Sequence, residues 1–108
     1  MARQEFKSVM ESAIRCAQEC DNCAQACLQE NKIQCARICF DCGPICWMTA
    51  AKMSRNSPLV AEACGFCAEA CDACADECEK HSAEYCKKCA QACRRCAEEC
   101  RRVSMVTV

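Results

Sequence analysis

The sequence predicts an all-α protein, an antiparallel up-down four-helix bundle with a cysteine-lined core. Its 18 cysteines fall into four groups, and within each group the spacing alternates between three and four residues. That alternation is the a/d stripe of a helix facing a bundle core, with cysteine at the positions that leucine usually takes. The residues between the cysteines are mainly strong helix formers, and the chain has two glycines and two prolines.

Breaks in the cysteine stripe predict where the helices end. Two breaks, around Asn31 and around His81, are short and predict tight turns between neighbouring antiparallel helices. In the longer third break, Ser57 is expected to cap the third helix and Pro58 to be its first residue. The predicted helices are residues 3–30, 32–55, 58–80 and 82–103. At this length we expect one domain, residues 1–108.

Composition argues against several function classes. The net charge of -1 and the pI near 5.8 favour neither a nucleic-acid partner nor an anionic membrane. The start of the chain shows no export signal, and no apolar run approaches the roughly 18 residues of a transmembrane helix. We therefore expect a cytoplasmic protein whose thiols stay reduced. With one histidine and no Ser/His/Asp arrangement, we expect no enzyme activity.

The cysteine spacing favours metal binding over a disulfide scaffold. Disulfide scaffolds are rich in loops, whereas these cysteines lie within predicted helices. Side chains four residues apart on a helix have Cβ atoms about 5 to 6 Å apart, and a disulfide needs about 3.5 to 4.5 Å. A core built for packing alone would use leucine and isoleucine, which bury more apolar area and resist oxidation.

Eight C-x3-C pairs account for every cysteine except Cys64 and Cys86, and each pair is suited to clamp one metal ion. Thiolate selects copper(I), zinc or iron–sulfur clusters, and copper(I) is satisfied by two or three sulfurs where zinc wants four. Copper(I) storage is therefore the preferred function. A metallothionein-like zinc or cadmium buffer and an iron–sulfur electron carrier are the alternatives. The candidate metal ligands are Cys16, Cys20, Cys23, Cys27, Cys35, Cys39, Cys42, Cys46, Cys64, Cys67, Cys71, Cys74, Cys78, Cys86, Cys89, Cys93, Cys96, Cys100 and His81.

The two ends of the predicted bundle differ. The stripe is continued by apolar residues at the end that holds the termini and Pro58: Phe6, Val9, Ala13, Met53, Val60 and Val103. Met10 and Met53 are interpreted as core residues rather than copper relays. Copper is expected to enter at the other end, where His81 is either a first ligand or a solvated histidine favoured by the helix dipole.

The second helix is apolar on more than its cysteine face, because Ile38, Phe40, Ile45 and Trp47 lie off the stripe. A helix that is apolar on two sides must bury the second side as well. We interpret this face as a subunit interface. Packing against the first and third helices is the alternative.

The four cysteine stripes, the Ser57-Pro58 turn and the His81 turn together resemble the four-helix-bundle copper storage proteins, in particular their cytosolic branch. The resemblance covers nearly the whole chain. It implies a bundle whose interior binds many copper(I) ions, mostly through C-x3-C pairs, with access at one end and assembly into a homotetramer. Exported relatives carry a twin-arginine signal, which this sequence does not show.

Overall fold

A computed structural model of the chain describes residues 6–106, with side chains through Ser104. It confirms the predicted all-α fold. The four helices are α1 (Lys7–Gln29), α2 (Ile33–Ser54), α3 (Val60–Cys78) and α4 (Glu84–Val106). The bundle measures 43 × 19 × 17 Å. Within residues 6–106, no helix combines the length and apolar character that a membrane span requires.

The predicted helix boundaries differ from the structure by a few residues. Residues 3–5 of the predicted first helix lie outside the described residues, and α1 begins at Lys7. The assignment of Pro58 as the first residue of α3 was wrong, because the α-helix begins at Val60. Residues 57–59 instead form a turn in which the Leu59 N–H donates to Ser57 Oγ at 3.0 Å. The prediction that Ser57 caps the third helix was also wrong, because the N-cap of α3 is Leu59 and Ser57 instead accepts a hydrogen bond within the preceding turn.

Two asparagines end the first two helices. Asn31 and Asn56 have φ values of 62° and 52°, the left-handed conformation that asparagine tolerates better than most residues. After α1, the Lys32 N–H donates to the Cys27 carbonyl at 2.8 Å and the Asn31 N–H to the Leu28 carbonyl at 3.2 Å. This is a Schellman motif, and the same pattern of bonds follows α2. It satisfies the last carbonyls of each helix and turns the chain sharply.

The helices form a ring in which each contacts its two neighbours. The closest packing is within the hairpins, α1 with α2 and α3 with α4, and the ring closes through α1–α4 and α2–α3 contacts. Buried alanines such as Ala17, Ala24 and Ala75 stand beside the cysteines and let the helices approach closely. At Gly43 the approach is closer still, since an added Cβ would lie 2.9 Å from Asp21 Oδ1. The core is therefore narrow and is lined almost entirely by cysteine.

The second apolar face of α2 divides into two parts. Ile38 and Ile45 are half-buried and pack against the core of their own bundle, as the packing alternative predicted. Phe40 and Trp47 are 48% and 41% exposed, so this part of the face is open in the single chain. The Trp47 indole N–H donates to Asp21 Oδ2 on α1 at 3.4 Å.

Candidate metal centre

The cysteines form one column of five layers along the bundle axis. All 18 are unpaired thiols, and their exposure is 0 or 1%. Ordered by their register on the antiparallel helices, the cysteines give four layers with one from each helix: Cys27, Cys35, Cys78 and Cys86; then Cys23, Cys39, Cys74 and Cys89; then Cys20, Cys42, Cys71 and Cys93; then Cys16, Cys46, Cys67 and Cys96. The fifth layer holds Cys64 and Cys100, and Ala13 and Thr49 take its other two positions.

Sulfur atoms contact one another both within and between helices. Four C-x3-C pairs have Sγ atoms 3.8 to 4.0 Å apart, among them Cys23 with Cys27 and Cys96 with Cys100. Most of the close contacts, however, join different helices, and the shortest is 3.5 Å between Cys16 Sγ on α1 and Cys93 Sγ on α4. A single helix pair is therefore not an isolated site. Each thiol belongs to a network that spans the bundle.

Groups of four sulfurs overlap along the column. In each group below, all four Sγ atoms lie within 4.8 Å of one another. The groups are Cys23, Cys27, Cys35 and Cys86; Cys23, Cys39, Cys78 and Cys89; Cys20, Cys74, Cys89 and Cys93; Cys16, Cys20, Cys42 and Cys93; and Cys16, Cys46, Cys71 and Cys96. Each group shares at least one sulfur with the next. The arrangement suits a chain of metal ions joined by bridging thiolates better than separate mononuclear sites.

Burial raises the thiol pKa values, and thiol–thiol hydrogen bonds raise the pKa of thiols that donate and lower that of thiols that accept. Burial raises the pKa of Cys27, Cys35 and Cys86 above the ordinary value of 9.0. The pKa of Cys23 is lowered, because the thiols of Cys39, Cys78 and Cys89 donate hydrogen bonds to its sulfur. Each overlapping group contains one thiol lowered in this way, with Cys42, Cys74 and Cys96 in the other groups. Within each group, neighbouring thiols therefore differ in the direction in which their pKa is shifted.

Cys67 shows the same effect in the fourth layer. Hydrogen bonds from Cys100, then Cys46 and Cys71, lower its pKa to about 5, against the opposing effect of burial. Its Sγ lies 3.9 Å from Cys96 Sγ on α4.

One end of the column is closed by apolar packing, and we call it the sealed end. Val9, Met53 and Val60 are 0 to 4% exposed there, and Val103 is half-buried. Met53 lies fully in the core and Met10 packs partly against it, in agreement with their interpretation as core residues. The predicted apolar plug is present.

Thr49, which the sequence analysis did not single out, ends the cysteine stripe of α2. Its side chain is fully buried, and its hydroxyl donates to the Ile45 carbonyl of its own helix at 2.8 Å. A hydroxyl bonded in this way is satisfied without a metal ion. The signal in the sequence was its place in the a/d register.

The other end, which we call the mouth, lies under the turns around Asn31 and His81. Among the described residues, no valine or methionine closes this end as they close the sealed end. Even so, Cys27 and Cys86 are fully inaccessible and Cys35 is 1% exposed. The mouth is therefore covered. The polar side chains that cover it, Glu30, Lys32 and Tyr85 among them, gave no signal in the sequence.

His81 lies at the mouth, where it was predicted. Its Nε2 is 3.1 Å from Glu77 Oε2, one helical turn back on α3. This hydrogen bond lowers the pKa of the Glu77 carboxyl. Burial raises that pKa, and the contact with Lys80 lowers it further. The pairing gives His81 a fixed position beside Cys78, whose carbonyl accepts the His81 backbone N–H at 3.1 Å. Its role as a metal ligand stays a prediction.

Comparison with known proteins gives one family. The sequence profile described as "copper storage protein" matches residues 2–105. No curated protein sequence matches the chain significantly.

Among solved structures, metal-free copper storage protein 3 from Bacillus subtilis is 37% identical with a TM-score of 0.88, covering 92% of this chain and 98% of that one. A Cu(I)-bound copper storage protein is 36% identical with a TM-score of 0.87, covering 92% and 97%. A cytosolic copper storage protein from Streptomyces lividans, loaded with five coppers, is 35% identical with a TM-score of 0.89, covering 96% and 95%.

Proposed function

The chain belongs to the copper storage protein family, and we propose that it stores many copper(I) ions on the 18 thiols of its column, with His81 as a further ligand at the mouth. The observation that carries this proposal is the overlap of the four-sulfur groups. We treat the whole chain, residues 1–108, as one storage domain. The related protein from Streptomyces lividans is described as cytosolic, and we assign this chain to the cytoplasm, where thiols are kept reduced.

The sharing of sulfurs distinguishes copper(I) from zinc. Sulfur separations of 3.5 to 4.0 Å suit either metal. A structural zinc ion, however, takes four ligands in a closed tetrahedral site, so 18 thiols hold about four such ions with no sulfur shared. Copper(I) accepts fewer sulfurs, and each sulfur then bridges two ions. The column is therefore used in full by copper(I) and in part by zinc or cadmium.

Charge balance points the same way. Buried thiolates without counterions cost several kcal/mol each to desolvate. One copper(I) ion for each thiolate leaves the core neutral, whereas about four zinc ions, each bound by four thiolates, leave a net charge of about -8 buried in the core. We expect saturation near one ion per cysteine, about 18 per chain. We propose storage by sequestration rather than catalysis, because the copper storage protein family matches residues 2–105.

Anaerobic titration of the reduced protein with copper(I) tests the proposal. We expect thiolate-to-copper absorbance to rise to about 18 equivalents per chain, with release of protons from the neutral thiols. Zinc should saturate near four equivalents and should not displace copper. Saturation with two to four copper ions, or displacement of copper by zinc, would return the chain to the zinc-buffer class. Intense visible absorbance of the purified protein would instead indicate an iron–sulfur carrier.

We also propose that the chain assembles with copies of itself through the exposed part of the α2 face. Phe40 and Trp47 are exposed there, and Met48 beside them is 37% exposed. The resemblance to the family implies a tetramer. A Trp47→Glu variant should elute as a smaller species while keeping its helical spectrum. Elution at an unchanged size by the folded variant would rule out this face as the interface, and Phe66→Glu on α3, 55% exposed, is the matched control.

A further inference from the structure

The mouth is closed, although the residues of its turns are only partly buried. Its shallowest thiols, Cys27, Cys35 and Cys86, are 0 to 1% exposed, so a copper ion cannot reach them while the turns keep the described arrangement. The side walls are packed with alanine and the opposite end is filled with valine and methionine. Copper uptake therefore requires the mouth to open. The contacts that hold it shut decide how often it does.

One set of polar contacts ties the α1–α2 turn to the start of α4, and we call its three residues, Glu30, Lys32 and Tyr85, the clasp. Lys32 Nζ donates to Tyr85 Oη at 2.8 Å and to Glu30 Oε1 at 3.1 Å. The Tyr85 hydroxyl in turn donates to Glu30 Oε1. The Lys32 ammonium also lies 4.8 Å from the centre of the Tyr85 ring, within the range of a cation–π contact. Each of the three side chains therefore contacts both of the others.

The clasp is close in the chain to three thiols of one four-sulfur group, Cys23, Cys27, Cys35 and Cys86, which we call the mouth group, and its Tyr85 packs against the core. Its thiols come from α1, α2 and α4, the three helices that the clasp joins. Tyr85 immediately precedes Cys86, and Lys32 binds the Cys27 carbonyl through its backbone N–H at 2.8 Å. Separation of the first turn of α4 from the α1–α2 turn would expose this group, and that separation must break the contacts of Tyr85.

The α3–α4 turn has a different connection. There, His81 pairs with Glu77 of α3, so this contact holds the turn to α3 and does not cross the mouth. The clasp does cross it. Its charged groups are exposed or half-buried, so its hydrogen bonds compete with water and are easily opened compared with the buried core.

We propose that the Tyr85–Lys32–Glu30 clasp is the gate of the copper store: it sets the rate at which the mouth group opens to solvent and hence the rate of copper(I) uptake and release, without setting the capacity. The inference rests on the proposed storage function. The three residues act by position, since they hold the turn over the thiols and are not themselves assigned as copper ligands.

The test uses two variants and two measurements. Tyr85→Phe removes the hydroxyl that links α4 to the turn and keeps the ring under the Lys32 ammonium; Tyr85→Ala removes both. In the reduced, metal-free protein, we expect a thiol reagent such as 5,5'-dithiobis(2-nitrobenzoate) to label Cys27, Cys35 and Cys86 first. Labelling should be about tenfold faster in Tyr85→Phe, as expected for the loss of hydrogen bonds to charged groups, and faster again in Tyr85→Ala.

The copper-loaded protein supplies the second measurement. Removal of copper by a copper(I) chelator in excess should accelerate in the same order, with the same number of copper ions per chain in all variants. Ser8→Ala is the matched control, because Ser8 Oγ donates to Glu99 Oε1 at 3.3 Å and so joins α1 to α4 near the sealed end. It should change neither rate.

Three results would overturn the gate. Labelling of Tyr85→Ala at the wild-type rate would show that the clasp does not limit opening. Equal acceleration by Ser8→Ala would show that any weakening of the α1–α4 contact loosens the bundle. First labelling at Cys64 or Cys100 would place the opening at the other end. Because labelling needs no copper, these results stand apart from the capacity titration, which tests storage itself.

Discussion

The two ends of the bundle exclude water equally well, but they do so by different physical means. At the sealed end, Val9, Met53 and Val60 are buried in contact with the core, and nothing there can move without exposing apolar surface. At the mouth, polar residues of the turns cover thiols that are equally inaccessible. Apolar packing gives permanent closure, whereas exposed hydrogen bonds give closure that opens at a cost of a few kcal/mol. A protein that takes up and releases copper at one end needs that end to open, while the opposite end stays closed.

Alkaline pH should have the largest effect, and it tests whether the mouth is closed at all. Burial raises the pKa of Cys27, Cys35 and Cys86 above 9.0, the value they return to on unfolding. A raised folded-state pKa stabilises the fold below pH 9 and loses that stabilisation as the pH rises further. Each such thiol should remove about 1.4 kcal/mol per pH unit from the free energy of unfolding. Anaerobic denaturant unfolding of the metal-free protein at pH 7, 9 and 10 measures it.

An open mouth would give a different titration. Its thiols would then ionise near pH 9 in the folded protein, with the thiolate absorbance rising while the helical spectrum and the midpoint of unfolding stayed constant. The copper-loaded protein is the control, since its thiolates carry no protons to lose.

Truncation of the plug tests the sealed end. Met53→Ala should lower the free energy of unfolding by about 2 to 5 kcal/mol, because it leaves a cavity in a fully buried position. Leu28→Ala is the matched change near the mouth, and at 44% exposure it should cost about 0.5 kcal/mol or less. Urea unfolding of the metal-free variants gives both values. Similar losses from the two substitutions would mean that the ends do not differ in packing.

Loading kinetics test which end admits copper. His81→Ala removes the proposed nitrogen ligand beside Cys78 and should slow copper(I) loading several-fold, with a capacity within about one ion of the wild type. Stopped-flow absorbance at limiting copper measures the rate. Met53→Leu, which removes the thioether but keeps the volume, should load normally. Slow loading of Met53→Leu with normal loading of His81→Ala would mean that copper enters at the sealed end instead of the mouth.

The smallest effect concerns where the column ends. Thr49 occupies a core position in the fifth layer, so Thr49→Cys should add one thiol to the column and raise the copper capacity by about one ion. Ser12→Cys is the control, because Ser12 is also buried, at 6% exposed, but lies off the cysteine stripe, in a groove between α1 and α4. Mass spectrometry of the loaded variants under non-denaturing conditions resolves one ion. An equal gain in both would show that capacity follows the number of thiols rather than their place.

The sequence predicted the fold and the column because both follow from periodicity. A spacing of three and four residues places every cysteine on one face of a helix, and the structure buries all of them. The start of α3 was misplaced because the Ser57 turn precedes the helix with hydrogen bonds of its own. The clasp was missed for another reason. Tyr85 and Lys32 are 53 residues apart, and nothing periodic connects them.

Cys64 and Cys100, the two cysteines of the fifth layer, lie at the sealed end, and this position also determines the order in which copper ions are released. If copper ions enter and leave only at the mouth, the ions bound last lie nearest the mouth and block the release of the ions bound first. Copper that arrives first and moves inward should be the last to leave the protein. Loading with one copper isotope and then with a second would record that history, and partial withdrawal should return mainly the second isotope. Copper ions bound near the mouth would then be released quickly and those bound near the sealed end slowly, although all are bound by one continuous column of thiols.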